Sequence, residues 1–179
     1  MPGHLAVVIL AAGKSTRFKS TLTKALHLCC GKPVIEHIFD AALALEPAQL
    51  IVVNGTHSAQ LAARYADGHN GHNVHFALQD PPLGTAHALL QAEPLLFGSV
   101  SDVLVLTADT PLVTGADLLP LLAARRSDTP HALLSGHLAD PAGYGRILRD
   151  EIDGDLVSRI VEEADASEAE RMVTEVNSG

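Results

Sequence analysis

The segment LAVVILAAGKSTRFKSTLTK, residues 5–24, decides which fold the rest of the chain must complete. Its first six residues form an unbroken apolar, largely β-branched run, which is typical of a strand buried on both faces in a parallel sheet. Ala11, Ala12 and Gly13 then remove side-chain bulk where this strand ends, and Gly13 can adopt a positive φ. Lys14 and Arg17 follow, so the turn offers N–H groups and cations to a phosphate. An ordinary strand-to-helix turn with solvated lysines explains the same residues equally well.

Two common nucleotide-binding motifs do not account for this turn. Gly13-Lys14-Ser15 matches the end of a P-loop, but the first glycine of GxxxxGK[ST] would fall at Val8, inside the strand. The GxGxxG dinucleotide motif is absent from the sequence. The phosphate hypothesis therefore depends on the local chemistry of the turn.

The distribution of charge supports a small anionic ligand. The chain has a formal charge of −9, yet residues 1–35 contain five basic residues and no acidic one. The remaining residues carry 7 basic and 21 acidic side chains, a formal charge of −14. A cationic pocket in an acidic protein suits a small polyanion, whereas a nucleic acid usually needs a broad basic face. We therefore expect no nucleic-acid partner.

The composition predicts one globular domain. A chain of 179 residues that is 47% hydrophobic can bury a core, and its 3% of aromatic residues disfavours base stacking on aromatic platforms. No apolar stretch approaches the length of a membrane span, and no basic residue precedes the first apolar run as in a signal peptide. Cys29 and Cys30 are adjacent, without zinc-site spacing, and are expected to be reduced thiols. We expect a cytoplasmic protein without a membrane partner.

Strand and helix patterns alternate over the first two-thirds of the chain. Apolar runs at residues 50–53 and 103–106 predict buried strands, separated by segments with helical spacing. Near the end, residues 147–148 and 156–161 flank an Asp-Gly turn and predict a β-hairpin. The sequence therefore predicts an α/β fold with a Rossmann-like, doubly wound, mostly parallel sheet and a β-hairpin insertion.

Individual residues predict further local features. Residues 25–29 predict a short strand, and Pro33 is placed to be the first residue of a helix. Thr56 is expected to cap a helix over residues 56–65, in which Ser58 faces water. Thr85 is either the N-cap of the next helix or, with Gly84, a second contact to an anion or base.

Asp109 is the strongest candidate for a metal ligand. It follows the strand at residues 103–106, at the sheet edge where open α/β sheets bind ligands. If the ligand is a triphosphate, this carboxylate would bind Mg²⁺, whereas the alternative is a cap of the turn before Pro111. His69, His72 and His75 also have regular spacing, but we interpret them as surface residues because the last one lies in a predicted strand.

Six blocks of sequence, taken in order, resemble one known family. The blocks are LAAGKSTR at 10–17 with Lys24, Gln79 with LGTAHA at 83–88, TADTPL at 107–112, AGYGRI at 142–147, IVEEADA at 160–166 and EVNSG at 175–179. The sequence resembles, from residue 5 to residue 179, the uridylyltransferase (pyrophosphorylase) domain of bacterial bifunctional N-acetylglucosamine-1-phosphate uridyltransferases. This family belongs to the sugar-phosphate nucleotidyltransferases, and the resemblance implies their nucleotide-diphospho-sugar transferase fold.

The resemblance implies a role for particular positions. Arg17 and Lys24 would meet the phosphates, and Asp109 would hold Mg²⁺. The other implied contacts are the backbone at Leu10, Ala11, Ala12 and Gly13 for the nucleotide, Gln79, Gly84 and Thr85 for uracil, Ala108 for the sugar-phosphate side, and Gly145, Glu162 and Asn177 for the amino sugar. Ala108 stands where family members commonly have glycine, and its methyl group would tighten that side of the site.

The implied reaction joins UTP and N-acetylglucosamine 1-phosphate to give UDP-N-acetylglucosamine and pyrophosphate, a step of cell-wall precursor synthesis. The alternatives are a sister nucleotidyltransferase, such as a molybdopterin guanylyltransferase or another sugar-phosphate enzyme, and a non-catalytic nucleotide-binding module. Family domains continue beyond EVNSG, through a later Asn that supplies a second metal ligand and a β-helical acetyltransferase domain that forms trimers. We therefore expect residues 1–179 to be a shortened uridylyltransferase domain, oligomeric only if that further domain exists.

Overall fold

A computed structural model describes residues 4–13, 19–125 and 128–177, and it separates into two units, residues 1–120 and residues 121–179. In chain order, the first unit contains the elements β1 (Leu5–Ala11), β2 (Leu28–Cys29), β3 (Lys32–Pro33), α1 (Val34–Leu43), β4 (Gln49–Gly55), α2 (Ala59–Arg64), β5 (Val74–Gln79), α3 (Thr85–Ala92), β6 (Asp102–Thr107) and the start of α4 (Gly115–Ala123). The second unit contains β7 (Ser135–His137), β8 (Arg146–Arg149), β9 (Val157–Val161), α5 (Glu168–Arg171) and β10 (Glu175–Asn177).

β1 is an inner strand of a four-stranded sheet with the order β5-β4-β1-β6. All three pairings are parallel, and Leu10 is in register with Val53 on one side and Thr107 on the other. Six of the seven β1 residues are buried, as expected for a strand covered on both faces. The predicted parallel sheet is therefore confirmed.

The strand order creates a ligand-binding position next to β1. The chain steps outward from β1 to β4 and β5, then returns to place β6 on the opposite side of β1. Between β1 and β6 the connections leave in opposite directions, and open α/β sheets bind ligands outside the carboxyl ends of such strands. The loops that begin at Ala12 and at Ala108 lie at this position.

α3 packs against one face of the sheet. Ala88 and Ala92 of this helix join Val8, Ile51 and Ala77 of three neighbouring strands in a buried cluster. Small helix side chains against branched strand side chains let the helix lie close to the sheet. Burial of this cluster fixes the start of α3 relative to the ends of the strands.

The second unit is built on an antiparallel sheet with the order β7-β10-β8-β9. β8 and β9 form the predicted hairpin, with Arg146 opposite Val161 and Ile147 opposite Ile160. β10 lies between β7 and β8. The β-hairpin of the sequence prediction is therefore confirmed.

Several local predictions were wrong. Residues 24–26 form a 3-10 turn, so the strand predicted over 25–29 shrinks to β2, and Pro33 belongs to β3 because α1 begins one residue later. Ser58 is only 2% exposed instead of facing water, and Thr56 lies in a 3-10 turn that precedes α2. Gly84, not Thr85, occupies the N-cap of α3.

The histidines singled out by their spacing serve different packing contacts. His69 packs against the rings of Phe39 and Tyr65, with centroids 5.0 and 5.8 Å away, whereas His75 packs on Phe97. Among residues 4–13, 19–125 and 128–177, no group of three or more His, Cys, Asp or Glu side chains is arranged to hold a metal ion. Within the same ranges, every helix is too short or too polar to cross a membrane.

Candidate functional site

A cavity of about 320 Å³ opens at the carboxyl ends of the parallel strands of the first unit. Its wall combines the end of β1, the 3-10 turn at residues 24–26, the end of β5, the start of α3 and the end of β6. The lining residues among those described are Leu10, Ala11, Ala12, Gly13, Thr23, Lys24, Ala25, Gln79, Pro82, Gly84, Thr85, Ala88, Thr107, Ala108 and Asp109. This volume and the mixture of backbone, apolar and charged groups suit a small organic ligand.

The turn after β1 presents backbone to this cavity. Residues 10–13 all line it, and a Cβ added to Gly13 would meet no atom of the described residues within 4 Å. Gly13 does not adopt the positive φ that the sequence allowed, so its backbone conformation does not require glycine. A ligand can therefore approach the main chain at this edge closely.

Gly55 and Ser58 support this turn from behind. A Cβ on Gly55 would lie 2.9 Å from the Ala12 carbonyl oxygen, so only glycine lets the end of β4 approach the turn. The buried Ser58 hydroxyl accepts a hydrogen bond from the Gly55 N–H at 2.8 Å and lies 3.4 Å from the Ala11 carbonyl oxygen. These contacts fix the position of the cavity wall between β1 and β4.

Lys24 and Asp109 form an ion pair on the cavity wall. Lys24 Nζ donates to Asp109 Oδ2 at 2.7 Å, and the two side chains are 33% and 47% exposed. Burial works to raise the pKa of Asp109, but the hydrogen bond and charge of Lys24, with help from Thr107, outweigh it and hold the pKa below its ordinary value. Asp109 is therefore an anion at neutral pH.

Gln79 is a buried polar residue at the end of β5, with 4% of its surface exposed. Its side-chain nitrogen Nε2 donates to the Gly84 carbonyl at 2.9 Å and lies 3.1 Å from His87 Nδ1. Gly84 has a φ of 105°, a backbone conformation that favours glycine, and its carbonyl also accepts the Ala88 N–H that begins α3. Gln79 thus ties the loop over residues 80–84 to the first turn of α3.

Ala108 and Thr85 complete the lining at two neighbouring elements. The Ala108 N–H donates to the Leu10 carbonyl at 3.0 Å, and the residue is buried, so its methyl group has a fixed position beside β1. Thr85 is the first residue of α3 and its side chain is exposed. Of the predicted nucleotide-side residues, Arg17 lies outside the described residues, and all the others line this one cavity.

Gly145, Glu162 and Asn177 lie together in the second unit. The Asn177 N–H donates to the Gly145 carbonyl at 2.9 Å. A Cβ on Gly145 would be 3.3 Å from both carboxylate oxygens of Glu162. The three positions to which the resemblance assigns the amino sugar are therefore neighbours in space.

Arg146 and Glu163 hold the loop that precedes Gly145. The Arg146 side chain is 2% exposed, and it donates to Glu163 Oε2 at 2.7 Å and to the Tyr144 carbonyl. Glu163 Oε2 also accepts the Gly143 N–H at 3.1 Å. The hydrogen bond from Arg146 is the main reason that the pKa of Glu163 lies below its ordinary value.

Sequence reasoning missed the supporting residues of both sites. Gly55, Ser58, His87, Arg146 and Glu163 contact site residues, but each belongs to a pattern that strands, helices and turns also produce. Gly55 carried a usable signal, because glycine at the end of a buried strand indicates a close backbone approach.

The donor set at Asp109 fits a magnesium ion bound together with a phosphate ligand. Mg²⁺ commonly binds one or two carboxylates and keeps its other positions for water and substrate phosphates. Asp109 supplies one such carboxylate, with Oδ2 held by Lys24. Gly13 lines the same cavity as Asp109.

The chain is similar in sequence to known proteins. The family model of the MobA-like NTP transferase domain matches residues 7–175. The bifunctional protein GlmU of Enterococcus faecalis is 44% identical over 173 residues, covering 96% of this chain and 36% of that protein. The GlmU of Bordetella petrii is 49% identical over 177 residues, covering 98% and 37%. The chain thus spans little more than a third of the length of these curated relatives.

Solved structures show the same fold at low identity. HddC from Yersinia pseudotuberculosis is 20% identical with a TM-score of 0.71, covering 97% of this chain and 74% of that one. A Bacillus anthracis protein solved in complex with sucrose is 16% identical with a TM-score of 0.72, covering 98% and 69%. The expected nucleotide-diphospho-sugar transferase fold is confirmed. By its sequence, the chain belongs to the family of MobA-like NTP transferase domains.

Proposed function

We propose that this chain is a uridylyltransferase that converts UTP and N-acetylglucosamine 1-phosphate into UDP-N-acetylglucosamine and pyrophosphate. The observation that carries the proposal is the cavity that the turn at Gly13 and the Lys24–Asp109 pair line together. Family membership and the similarity to GlmU proteins support it. We propose that residues 1–179 act as one uridylyltransferase domain.

In the proposed reaction, an oxygen of the sugar phosphate attacks the α-phosphorus of UTP. A new phosphorus–oxygen bond forms as the bond to the β-phosphate breaks, and the electron pair leaves with pyrophosphate. The attacking oxygen is already ionised at neutral pH, so no general base is needed. In agreement, the cavity lining among the described residues contains one titratable acid, Asp109, and no histidine. Catalysis then consists of positioning and charge stabilisation.

Lys24 and the Gly13 turn bind the phosphates in this proposal. The backbone at residues 11–13 lines the cavity and would lie beside the triphosphate, and a Cβ at Gly13 would meet no atom of the described residues within 4 Å. Lys24 stabilises the negative charge that grows on the leaving pyrophosphate. Since Lys24 is only partly buried, it can exchange its bond to Asp109 for one to a phosphate oxygen.

Asp109 is the proposed ligand of a magnesium ion. When bound, Mg²⁺ supplies positive charge that neutralises the phosphate oxygens of the two substrates. The depressed pKa of Asp109 keeps its carboxylate ionised for this role. Ala108 contributes the adjoining wall through its fixed methyl group.

Gly145, Glu162 and Asn177 are the proposed contacts of the amino sugar. A carboxylate, a side-chain amide and backbone next to a glycine are suitable partners for hydroxyl and acetamido groups. The Arg146–Glu163 pair holds this loop without need of the ligand. These three residues would then contribute to the choice of the sugar.

A pyrophosphate-release assay over the four nucleoside triphosphates and several sugar 1-phosphates tests the proposal. We expect release with Mg²⁺, UTP and N-acetylglucosamine 1-phosphate, and little with the other pairs. Release with a different triphosphate would identify a sister nucleotidyltransferase. UTP binding in calorimetry without any release would instead indicate a non-catalytic nucleotide-binding module, and the uridylyltransferase proposal would be wrong.

A further inference from the structure

The hydrogen bonds of Gln79 determine which of its polar atoms a ligand meets. A backbone carbonyl can only accept a hydrogen bond, so the side-chain atom 2.9 Å from the Gly84 oxygen must be the NH₂ group. Its second hydrogen points to His87 Nδ1 at 3.1 Å. That contact is a hydrogen bond only if Nδ1 is unprotonated, which places the ring proton of a neutral His87 on Nε2.

The other polar atom of the amide, Oε1, is left available to a ligand. Gln79 lines the cavity, and no hydrogen bond of Oε1 to a described residue occurs. Among the described residues, only Arg146 Nε is a fully buried side-chain polar atom without a hydrogen-bond partner. Since Gln79 Oε1 also has no partner, it must be accessible to solvent. With its NH₂ group occupied twice, Gln79 therefore presents an acceptor to whatever enters the cavity.

His87 acts on the cavity only through Gln79. It lies in the first turn of α3, is partly buried and is not among the described residues that line the cavity. The Gln91 side-chain nitrogen flanks its other ring nitrogen at 3.3 Å and donates to the His87 carbonyl at 3.1 Å. A neutral imidazole accepts a hydrogen bond at one ring nitrogen only, and the NH₂ group of Gln79 makes the shorter of the two contacts. The NH₂ group of Gln91 already donates to the His87 carbonyl, so its approach to Nε2 is a packing contact when that nitrogen carries the ring proton.

We propose that His87 is a positioning residue that selects the nucleobase by fixing the direction of the Gln79 amide. This inference rests on the proposed function. An acceptor at the edge of a pyrimidine pairs with the N3–H of uracil, whereas it meets the N3 lone pair of cytosine. A reversed amide would favour cytosine and would lose the bonds to Gly84 and His87. The Nε2–H tautomer of His87 therefore favours a base with an N–H at position 3.

Calorimetric dissociation constants for UTP and CTP test this on the full chain. We expect the wild type to prefer UTP, and His87→Phe to lose roughly 5-fold of that preference, the equilibrium weight of one neutral hydrogen bond. His87→Asn should retain the preference, because its amide oxygen can replace Nδ1 as the acceptor. His75→Phe removes an imidazole from the same strand as Gln79, outside the cavity, and should change nothing.

An unchanged UTP-to-CTP ratio in His87→Phe would overturn the proposal, as would equal binding of both nucleotides by the wild type. Nitrogen-15 NMR of the histidine side chains provides an independent readout that needs no nucleotide. We expect His87 to show an Nε2–H tautomer, and an Nδ1–H tautomer would refute the proposal. If the wild type bound neither nucleotide, the proposed function would be wrong. The NMR measurement of the His87 tautomer would still test the role proposed for His87.

Discussion

Lys24 Nζ lies 2.7 Å from Asp109 Oδ2, although 85 residues separate the two in the chain. The strand order brings them together, because the segments that follow β1 and β6 leave adjacent strands at the same edge of the sheet. Both side chains are partly exposed, and ion pairs of this kind are weak. The pair therefore holds a cation and an anion in place and gives way readily to ligands of opposite charge.

Asp109→Asn should reduce Mg²⁺-dependent turnover by at least about 100-fold, a typical loss when a charge-stabilising group is removed. The amide keeps the shape of the side chain but not its charge. Pyrophosphate release at saturating Mg²⁺ measures the effect. Asp102→Asn, at the opposite end of the same strand, is the control and should retain activity. Turnover of Asp109→Asn within a few-fold of the wild type would contradict the metal assignment.

Lys24→Met should raise the dissociation constant of UTP by roughly 10-fold to 100-fold, the weight of one charge-assisted hydrogen bond. The apolar stem is retained, so the loss is electrostatic. The pKa of Asp109 should also rise in this variant, because burial continues to raise it and the opposing effect of Lys24 is gone. Calorimetry and carboxyl NMR measure these two quantities.

Lys32→Met is the matched control for this substitution. Lys32 pairs with Asp40 and does not line the candidate nucleotide cavity. UTP affinity should be unchanged in the control. Equal UTP affinities of Lys24→Met and the wild type would show that Lys24 does not meet the phosphates.

Gly13→Ala should weaken UTP binding without loss of stability, whereas Gly55→Ala should lower stability. The methyl group at Gly13 meets no described atom within 4 Å, so stability should be retained while UTP binds more weakly. The methyl group at Gly55 would collide with the Ala12 carbonyl oxygen at 2.9 Å, so the free energy of unfolding should fall by about 1–3 kcal/mol. Urea unfolding and calorimetry separate the two effects. Equal losses of stability would refute this distinction.

Gly145→Ala should raise the KM for the sugar phosphate and leave the KM for UTP unchanged. The added Cβ would lie 3.3 Å from both Glu162 carboxylate oxygens and would push that side chain away. Gly136→Ala, where a Cβ meets no described atom within 4 Å, is the control in the same sheet. A rise in the KM for UTP alone would assign Gly145 to the nucleotide instead.

Glu175 should make stability depend on pH in the acidic range. The hydrogen bond from Arg149 outweighs burial and, with Ser135, lowers the pKa of Glu175 from its ordinary value of 4.5 to about 2. A depressed pKa contributes stability that is fully present above pH 4.5 and is lost as the pH falls toward 2. The free energy of unfolding of Glu175→Gln, measured with urea, should not show this dependence on pH between 2 and 4.5. Glu151→Gln, at an exposed position, is the control and should show the same dependence as the wild type.

The sequence predicts those parts of the fold that depend on uninterrupted local patterns. The run at residues 5–10 needs burial on both faces whatever surrounds it, and the same holds for the core of β4. Once these strands are assigned to one parallel sheet, Gly13 and Asp109 must share an edge. Their presence in one cavity follows from topology and did not require side-chain detail.

Features that depend on individual side-chain hydrogen bonds could not be predicted. Ser58 looks like an exposed helix residue until Gly55 and Ala11 surround its hydroxyl. His87 has the spacing of any helix residue, and only the direction of the Gln79 amide gives it a role. Such contacts are decided by a few ångströms of geometry to which hydrophobic periodicity is insensitive.

In the parallel sheet β5-β4-β1-β6, the loops at the two ends of the strands can vary independently in evolution. Changes in the connections at the carboxyl ends alter what the cavity accepts, whereas turns at the other edge, such as the one at Gly71, can vary in length without reaching it. A reporter peptide grafted beside Gly71 would therefore leave nucleotide recognition intact. New substrate preferences can therefore arise through changes in the loops at the carboxyl ends, while the strands of the sheet stay the same.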